Sequence, residues 1–422
     1  MDLSLAKARR PLQGSVSLPG DKSLAHRAAL FAALAEGTSV VRNYPDSGVT
    51  RAMRGALDVV GVRSVLDGDV LTVEGNGLRP FPNAGAVACC GNSGTTIRLL
   101  AGAVAGTRSF AVLDGSAGLR KRPMDRIAEP LRLMGADVST DGGYAPLVLR
   151  PANLHGMDYT LPVASAQVKS CIELAALGAD APVVLHEPGP SRDHTARMLR
   201  AMGATVVSEG LSETVHPAAS LKPLDGTLPG DISSAAFLLV AAAIVPGSCI
   251  TVRGVGINPT RTGVLDVLSA MGARISVSEA RDEFGEPVGD VALAAEPLHG
   301  VEVAGDLVVR SIDEFPALAV AAAFADGTTV VHDAGELRYK ETDRIAAIVA
   351  QLGALGAEVS EFPDGFSIRG GTLKGGTARA NGDHRLAMSM ALCGLRVPVS
   401  VEGAEILNES FPGFAPLVES LM

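Results

Sequence analysis

Tryptophan is absent from this 422-residue chain, and aromatic residues make up only 4% of it. The chain therefore lacks the material for a surface that stacks RNA bases on aromatic rings. Basic residues are also in deficit, because 36 Lys and Arg stand against 46 Asp and Glu, for a formal net charge of −10. This balance argues against a duplex-DNA binder, although it leaves room for a small basic pocket. We expect no nucleic-acid partner.

Cysteine is scarce and is not arranged in pairs. The five cysteines include no C-x-x-C pair and no zinc-ligand spacing, which is typical of reduced thiols in a cytosol. The longest apolar run ends before Pro246 after about 11 residues, too few to span a bilayer. The N-terminal residues also lack the apolar core of a signal peptide. We therefore expect a cytoplasmic protein with no membrane partner.

Several catalytic motifs are missing. The sequence has no H-E-x-x-H, no G-x-S-x-G and no complete dinucleotide fingerprint. The phosphate-binding pattern G-x-x-x-x-G-K-[ST] is absent as well. These absences argue against metal-dependent, serine-hydrolase and nicotinamide-dependent chemistry.

The chain does contain a repeated pattern. In each of six copies, a polar cluster opens an Ala- and Leu-rich helix, and most copies then have a Gly stop, a β-branched strand and a second helix. The copies begin at Asp21, Gly91, Ser165, Asp231, Asp313 and Asp383. Their starts lie 66 to 82 residues apart, which suits a βαβαββ unit. The pattern predicts an α/β fold, and 47% hydrophobic residues can fill two or three domains.

The first helix of each copy is apolar nearly all round, which predicts that it is buried. A buried helix start needs partners for its free N–H groups, and its positive dipole end suits an anion. We predict caps at Ser23, Ser93, Ser165, Ser233, Asp313 and Asp383.

Six copies divide naturally into three and three. We predict one domain over residues 18–230, with repeats one to three, and a second over residues 1–17 plus 231–422, with repeats four to six. The segment 12–18 is predicted to pair with the second domain. A cleft between the domains would collect the helix starts.

The motif Pro19-Gly20-Asp21-Lys22-Ser23-Leu24-Ala25-His26-Arg27 combines a mobile cation, a hydroxyl and a guanidinium at one helix start. A solvated basic helix start is the alternative. Other groups of small, hydroxyl or basic residues follow, and each alone could be an ordinary turn or cap. They are centred on Gly94, Arg122, Ser165, Ala166, Gln167, Arg192, Asp313, Lys340, Glu341, Arg344 and Arg385. Asp313 is either a helix cap or a carboxylate that faces the cleft. Glu341 is either part of a capping box or an acid/base group.

Seven motifs, in order, are PGDKSxxHR, GNSGTTxRLL, LRKRPM, SAQVKS, SRDHT, KETDRI and DHRLAM. Together they resemble the enolpyruvyl transferases over essentially the whole chain, and most closely the class II branch that acts on shikimate 3-phosphate. The resemblance implies a two-domain inside-out α/β barrel of six βαβαββ repeats. It also implies transfer of the enolpyruvyl group of phosphoenolpyruvate to the 5-hydroxyl of shikimate 3-phosphate, without a cofactor.

The resemblance carries roles onto individual residues. Shikimate 3-phosphate would contact Lys22, Ser23, Arg27, Ser165, Ala166, Gln167, Arg192 and Lys340. Phosphoenolpyruvate would contact Lys22, Gly94, Arg122, Arg344 and Arg385, with Gln167 bridging both ligands. Asp313 matches the family's proton acceptor. Glu341 and Lys22 remain alternative donors to C3 of phosphoenolpyruvate.

One position departs from the family pattern. Many members carry Lys before the final Ser/Thr-Phe-Pro, and this chain has Glu409 there. A cationic contact to phosphoenolpyruvate would be missing at this end unless Arg120 replaces it.

Two other functions stay open at this stage. One is the related transferase that acts on UDP-N-acetylglucosamine, although the loop 115–120 lacks the reactive Cys usual there. The other is a non-catalytic anion-binding protein of the same fold. Whichever function holds, we expect a monomer.

Overall fold

The computed structural model describes residues 2–422, so Met1 lies outside the described residues. The first three copies contain two helices and three to five strands each. Copy one follows the strand β1 Gln13–Ser17 and has α1 Lys22–Leu34, β2 Glu36–Arg42, α2 Gly48–Val59, β3 Ser64–Asp67 and β4 Val70–Asn76. Copy two has β5 Ala86–Cys89, α3 Gly94–Gly106, β6 Ala111–Asp114, α4 Asp125–Leu133, β7 Asp137–Asp141 and β8 Tyr144–Arg150. Copy three has β9 Asp158–Thr160, α5 Ala166–Ala176, β10 Val183–His186, α6 His194–Ala201, β11 Val206–Glu209, β12 Ser212–Val215 and then β13 Asp225–Thr227.

The last three copies repeat the pattern with one shortening. Copy four has α7 Ile232–Ile244, β14 Cys249–Gly256, α8 Gly263–Ala270, β15 Arg274–Glu283 and β16 Glu286–Ala294. Copy five has β17 Glu302–Val303, α9 Asp306–Arg310, α10 Phe315–Ala323, β18 Thr328–Val331, α11 Arg344–Ala354, β19 Glu358–Phe362 and β20 Gly365–Arg369. Copy six has only β21 Gly376–Arg379, α12 His384–Cys393, β22 Val399–Glu402 and α13 Phe414–Ser420. Within residues 2–422, copy six is therefore βαβα, without the closing hairpin.

Five sheets have four strands and share one topology. Their strand orders are β13-β2-β4-β3, β5-β6-β8-β7, β9-β10-β12-β11, β1-β14-β16-β15 and β17-β18-β20-β19, while β21-β22 forms a two-stranded sheet. In each four-stranded sheet the first pair is parallel and the second is antiparallel. The predicted partner of the N-terminal strand is correct, because β1 pairs with β14 of copy four.

The chain divides into two compact units. The N-terminal unit comprises Pro19–Pro229 and the short segment Asp282–Glu286. The C-terminal unit comprises the residues up to Leu18, Gly230–Arg281 and Pro287–Met422. Each has its own apolar core, with α1, α3 and α5 in one and α7, α10 and α12 in the other. Burial of these helices was predicted from their Ala- and Leu-rich composition, and the structure confirms it.

The segment Asp282–Glu286 is tied to the N-terminal unit by specific contacts. The Glu286 carboxylate lies 2.8 Å from Nδ1 of the buried His194. The backbone N–H of Thr227 donates to Glu283 Oε2, and Arg197 donates to the Gly285 carbonyl, both at 3.3 Å. This tip of the β15–β16 hairpin is therefore an integral part of the N-terminal unit.

The helix caps correct several predictions. Ser93 and Asp383 cap α3 and α12 as expected, accepting from the backbone N–H groups of Thr96 and of Arg385 and Leu386. In α1 and α7 the preceding aspartates, Asp21 and Asp231, are the caps. Ser23 and Ser233 already lie inside those helices, where their own N–H groups need acceptors.

Two further cap predictions also need correction. Ser165 occupies the cap position of α5 but its side chain makes no capping bond. Glu314, and not Asp313, occupies the cap position of α10. Asp313 is therefore not a cap, which leaves its carboxylate available for other contacts.

All five cysteines are free, and they divide into two groups by burial. Burial raises the pKa of Cys171 and Cys393 to about 12, and that of Cys90 further. Cys89 and Cys249 are exposed. We expect a chromogenic disulfide reagent to titrate two thiols quickly in the native protein and all five after unfolding in denaturant without reductant. Fewer than five thiols in denaturant would reveal a disulfide, and a third fast native thiol would contradict the burial.

Candidate active site

In the N-terminal unit, the starts of α1, α3 and α5 carry most of the predicted binding residues. Lys22 and Ser23 open α1, Gly94 opens α3, and Ser165, Ala166 and Gln167 open α5. Each helix runs back into the apolar core, so its positive end faces away from the core. We call these residues, with Arg27, Arg122 and Arg192, the N-terminal set.

Arg27 is a buried member of the N-terminal set, with 3% of its surface exposed. Its Nε donates to Thr195 Oγ1 at 2.8 Å and its Nη2 donates to Ser170 Oγ at 2.9 Å. Burial lowers its pKa to about 10. The positive charge of Arg192 also lowers this pKa, whereas the negative charges of Glu173, Asp21 and Glu286 raise it. Arg27 therefore stays cationic at neutral pH, in a fixed orientation, close enough to Arg192 to feel its charge.

The environment of Gly94 brings three predicted residues together. A Cβ built on Gly94 would lie 3.1 Å from Arg122 Nη1 and 3.8 Å from Gln167 Oε1. Gln167 Nε2 donates to Thr95 Oγ1 at 3.1 Å. Of the three cations at 120–122, Arg122 turns toward Gly94, whereas Arg120 and Lys121 are exposed.

Arg98 contributes to this arrangement, although the sequence analysis did not select it. Its Nη1 donates to Gln167 Oε1, and its Nη2 donates to the Pro123 carbonyl at 3.1 Å. It thereby holds the Gln167 amide and the chain beside Arg122. Its position four residues after Gly94 on α3 was the one signal in the sequence.

In the C-terminal unit, Asp313 lies among three cations. Its Oδ1 is 3.3 Å from Arg344 Nη1 and 3.8 Å from Lys340 Nζ. Its Oδ2 is 3.9 Å from Arg385 Nη2. With Glu341, these four predicted residues form what we call the C-terminal set. The structure thus brings all five together, and it rules out the cap alternative for Asp313 because Glu314 occupies the cap position.

Arg344 is the centre of the C-terminal set. It donates to Asp383 Oδ2 and to Glu341 Oε2, both at 2.7 Å, and only 1% of its surface is exposed. Burial by itself would lower its pKa, but the charges of Asp383, Glu341 and Asp313 raise it above its ordinary value. Glu341 is not part of a capping box, because α11 begins at Arg344 and is capped by Asp343.

A second buried network lies directly behind Asp313. Its neighbour Glu314 is fully buried and accepts a hydrogen bond from Ser233 Oγ. The Ser233 hydroxyl in turn accepts from Arg261 Nη2 at 2.7 Å. Glu314 therefore anchors the start of α10 to α7, and nothing in the local sequence indicated the pairing because Ser233 is 81 residues away.

Two sequence questions concern residues outside both sets. Arg120 donates from Nε to Asp114 Oδ1 at 2.8 Å, so its charge is engaged by that aspartate. Glu409 is exposed at the end of a short 3₁₀ turn.

Among residues 2–422, no three His, Cys, Asp or Glu side chains group as a metal site would require. No helix in the same range is both long and apolar enough to cross a membrane.

Comparison with solved structures tests the fold. The structure of EPSP synthase from Acinetobacter baumannii superposes with a TM-score of 0.90 and 40% sequence identity, covering 100% of this chain and 98% of that one. This confirms the predicted fold class. The match shows that this chain belongs to the class of proteins with the EPSP synthase fold.

Two sequence relatives and a family model narrow the class. Proteins of Syntrophomonas wolfei subsp. wolfei and Geobacter sulfurreducens, each named 3-phosphoshikimate 1-carboxyvinyltransferase, are 45% and 47% identical. The alignments cover 98% of this chain and 98% and 97% of the relatives. The family model for EPSP synthase (3-phosphoshikimate 1-carboxyvinyltransferase) matches residues 6–417. The chain belongs to the EPSP synthase family, as the motif resemblance predicted.

Proposed function

We propose that this chain transfers the enolpyruvyl group of phosphoenolpyruvate to the 5-hydroxyl of shikimate 3-phosphate and releases phosphate. The reaction belongs to the shikimate pathway, which leads to chorismate and the aromatic amino acids. Membership of the EPSP synthase family over nearly the whole chain supports the assignment. The single structural observation that carries it is the Asp313 carboxylate held among Lys340, Arg344 and Arg385.

The N-terminal set supplies most of the proposed contacts to shikimate 3-phosphate. Helix starts, hydroxyls and guanidinium groups are suited to a phosphate and a carboxylate on a polyhydroxylated ring. The proposed contacts are Lys22, Ser23, Arg27, Ser165, Ala166, Gln167 and Arg192, with Lys340 of the C-terminal set. Because Arg27 is already oriented by Thr195 and Ser170, it would bind the ligand with little loss of side-chain freedom.

The proposed contacts to phosphoenolpyruvate are Lys22, Gly94, Arg122, Arg344 and Arg385, with Gln167 touching both ligands. Arg and Lys hold carboxylate and phosphate charges without reorganising as the reaction proceeds.

The chemistry has two steps, addition and elimination, and each step requires two proton transfers. In the addition step, the 5-oxygen bonds to C2 of phosphoenolpyruvate, the hydroxyl proton goes to Asp313, and C3 gains a proton to become a methyl group. Glu341 and Lys22 are the two donors we consider for C3. In the elimination step, the methyl group returns a proton to the group that donated it, the C2–O bond to phosphate breaks as the phosphate takes the proton held by Asp313, and the C2–C3 double bond returns.

A continuous assay of phosphate release tests the proposal. We expect phosphate only when both shikimate 3-phosphate and phosphoenolpyruvate are present, with one phosphate for each product molecule counted by mass spectrometry. Replacement of shikimate 3-phosphate by UDP-N-acetylglucosamine tests the related transferase. Binding of both ligands without phosphate release would instead support the non-catalytic anion-binding protein, and release with the nucleotide sugar alone would overturn the substrate assignment.

Gly94→Ala provides a test of the phosphoenolpyruvate contacts. The added methyl group would lie 3.1 Å from Arg122 Nη1 and 3.5 Å from Arg98 Nη1, both ends of flexible side chains. We expect the KM for phosphoenolpyruvate to rise about tenfold or more, equivalent to about 1.4 kcal/mol, with little change in thermal stability. Steady-state kinetics with each substrate varied in turn provide the measurement. An unchanged KM for phosphoenolpyruvate would remove Gly94 from the proposed site.

We also propose that the protein acts in the cytoplasm as a monomer, without nucleic-acid or membrane partners. Its net charge of −10 and its free cysteines support this. Sedimentation equilibrium at several concentrations tests the monomer, and a mass that rises with concentration would contradict it.

A further inference from the structure

His26 connects the starts of two helices that carry proposed ligand contacts. Its Nδ1 lies 2.6 Å from the carbonyl oxygen of Lys22, in the first turn of α1. Its Nε2 lies 3.1 Å from Ser93 Oγ, at the cap of α3. The ring is buried, with 1% of its surface exposed, and the two residues that it joins are 71 positions apart.

The partners fix the protonation of the ring. A carbonyl oxygen can only accept a hydrogen bond, so Nδ1 carries the proton and donates it to Lys22. Burial lowers the pKa of His26 to about 4, helped by the charges of Lys22 and Arg27. The ring is therefore neutral at physiological pH, and the free lone pair of Nε2 accepts from the Ser93 hydroxyl.

The bond from Ser93 extends the connection into the helix. Ser93 Oγ accepts from the backbone N–H of Thr96 at 3.1 Å and from Thr96 Oγ1 at 2.9 Å. One unbroken series of hydrogen bonds thus runs from the first turn of α1 to the first turn of α3. Gly94 follows Ser93 directly, so the series ends beside the proposed phosphoenolpyruvate contact.

We propose that His26 is a positioning residue that fixes Lys22 relative to Gly94. This inference rests on the proposed function, in which Lys22 touches both substrates and Gly94 borders phosphoenolpyruvate. A neutral imidazole suits the role because it donates and accepts at opposite sides of one rigid ring. The ring thereby sets the spacing between two anion-binding helix starts.

Three substitutions of His26 test its hydrogen bonds to Lys22 and Ser93 one at a time and together. The amide of His26→Asn reaches the position of Nδ1 and retains the bond to Lys22. The amide of His26→Gln reaches the position of Nε2 and retains the bond to Ser93. His26→Leu removes both bonds. Each variant keeps at most one of the two hydrogen bonds, so none of them links α1 to α3.

We expect kcat/KM for phosphoenolpyruvate, per folded enzyme, to fall about 30-fold or more in His26→Leu and by less in the two amide variants, as expected for buried hydrogen bonds lost in part or in full. A residue that merely fills the core would lower the unfolding temperature and leave KM unchanged. His155→Leu is the control, because that histidine is exposed in the same unit and its Nδ1 also has a partner, at 2.7 Å in Asp180.

Ser93→Ala tests the same bond from its other end and does not depend on His26→Leu folding. Ser93→Ala and His26→Asn each break the His26–Ser93 bond, so we expect the double variant to lose no more kcat/KM than the worse single variant. If the double variant instead loses kcat/KM by the product of the two single losses, the inference is overturned. A KM for phosphoenolpyruvate within about twofold of wild type in all His26 variants would overturn it as well.

Binding of inorganic phosphate, measured by calorimetry, keeps the inference separate from the proposed function. Wild-type protein without turnover would contradict the function alone. Whether or not the wild-type protein catalyses the reaction, we expect His26→Leu to bind phosphate more weakly than wild type does. Equal Kd values for wild type and His26→Leu would contradict the positioning role.

Discussion

Asp313→Asn is expected to lower kcat about 100-fold or more, because an amide cannot accept the proton of the attacking hydroxyl. Asparagine has nearly the same shape, so Lys340, Arg344 and Arg385 should keep their places around it. Both ligands should still bind, with phosphoenolpyruvate bound at least as well because one negative charge has been removed beside it. Steady-state kinetics and calorimetry on the same preparation provide the measurement.

Asp306→Asn is the matched control, since Asp306 is exposed at the start of α9 in the same unit. We expect its kcat to equal that of wild type. A normal kcat in Asp313→Asn would remove this carboxylate from the mechanism. Loss of both binding and turnover would assign it a structural role instead.

Arg344→Met is expected to destabilise the C-terminal unit by about 3–5 kcal/mol. The substitution leaves Asp383, Glu341 and Asp313 without the guanidinium that all three contact. Methionine fills much of the same volume, so the loss would come from uncompensated charge and only slightly from packing. Urea unfolding followed by circular dichroism measures it.

Arg369→Met is the control for this prediction. Arg369 pairs with Glu358 at 3.7 Å, and both side chains are largely exposed, at 66% and 75%. An exposed pair of this kind contributes about 0–1 kcal/mol. Equal losses for the two variants would show that burial does not amplify the contribution of Arg344. If adding Asp383→Asn to Arg344→Met restores the free energy of unfolding, unpaired charge is confirmed as the cause of the loss.

Local sequence patterns were enough to predict much of the fold. The Ala- and Leu-rich helices after each polar cluster, and the Gly residues that end them, predicted the repeats. The clusters at Lys22, Gly94 and Ser165 predicted helix starts, and the structure places them at the starts of α1, α3 and α5. Such features depend on residues close together in the chain, which is why a single sequence reveals them.

Features that depend on distant residues were not predictable in this way. Arg261, Ser233 and Glu314 meet only after α7, the start of α10 and the turn before α8 have packed, and Arg98 gains its role through Gln167. Whether Asp21 or Ser23 caps α1 depends on where the helix begins, and the two candidate positions are only two residues apart. The shortened sixth copy was also missed, because its opening polar cluster looks like the others.

The five residues Asp282–Glu286 have a practical consequence for protein engineering. Since they belong to the N-terminal unit but are encoded within the C-terminal unit, the polypeptide passes from one unit to the other four times. A fragment ending at Pro229 would lack Glu286 and would leave the interior imidazole of His194 with an empty space in place of its carboxylate. Producing either half alone would therefore require grafting or replacing this short loop, and simple truncation would give a poorly folded product.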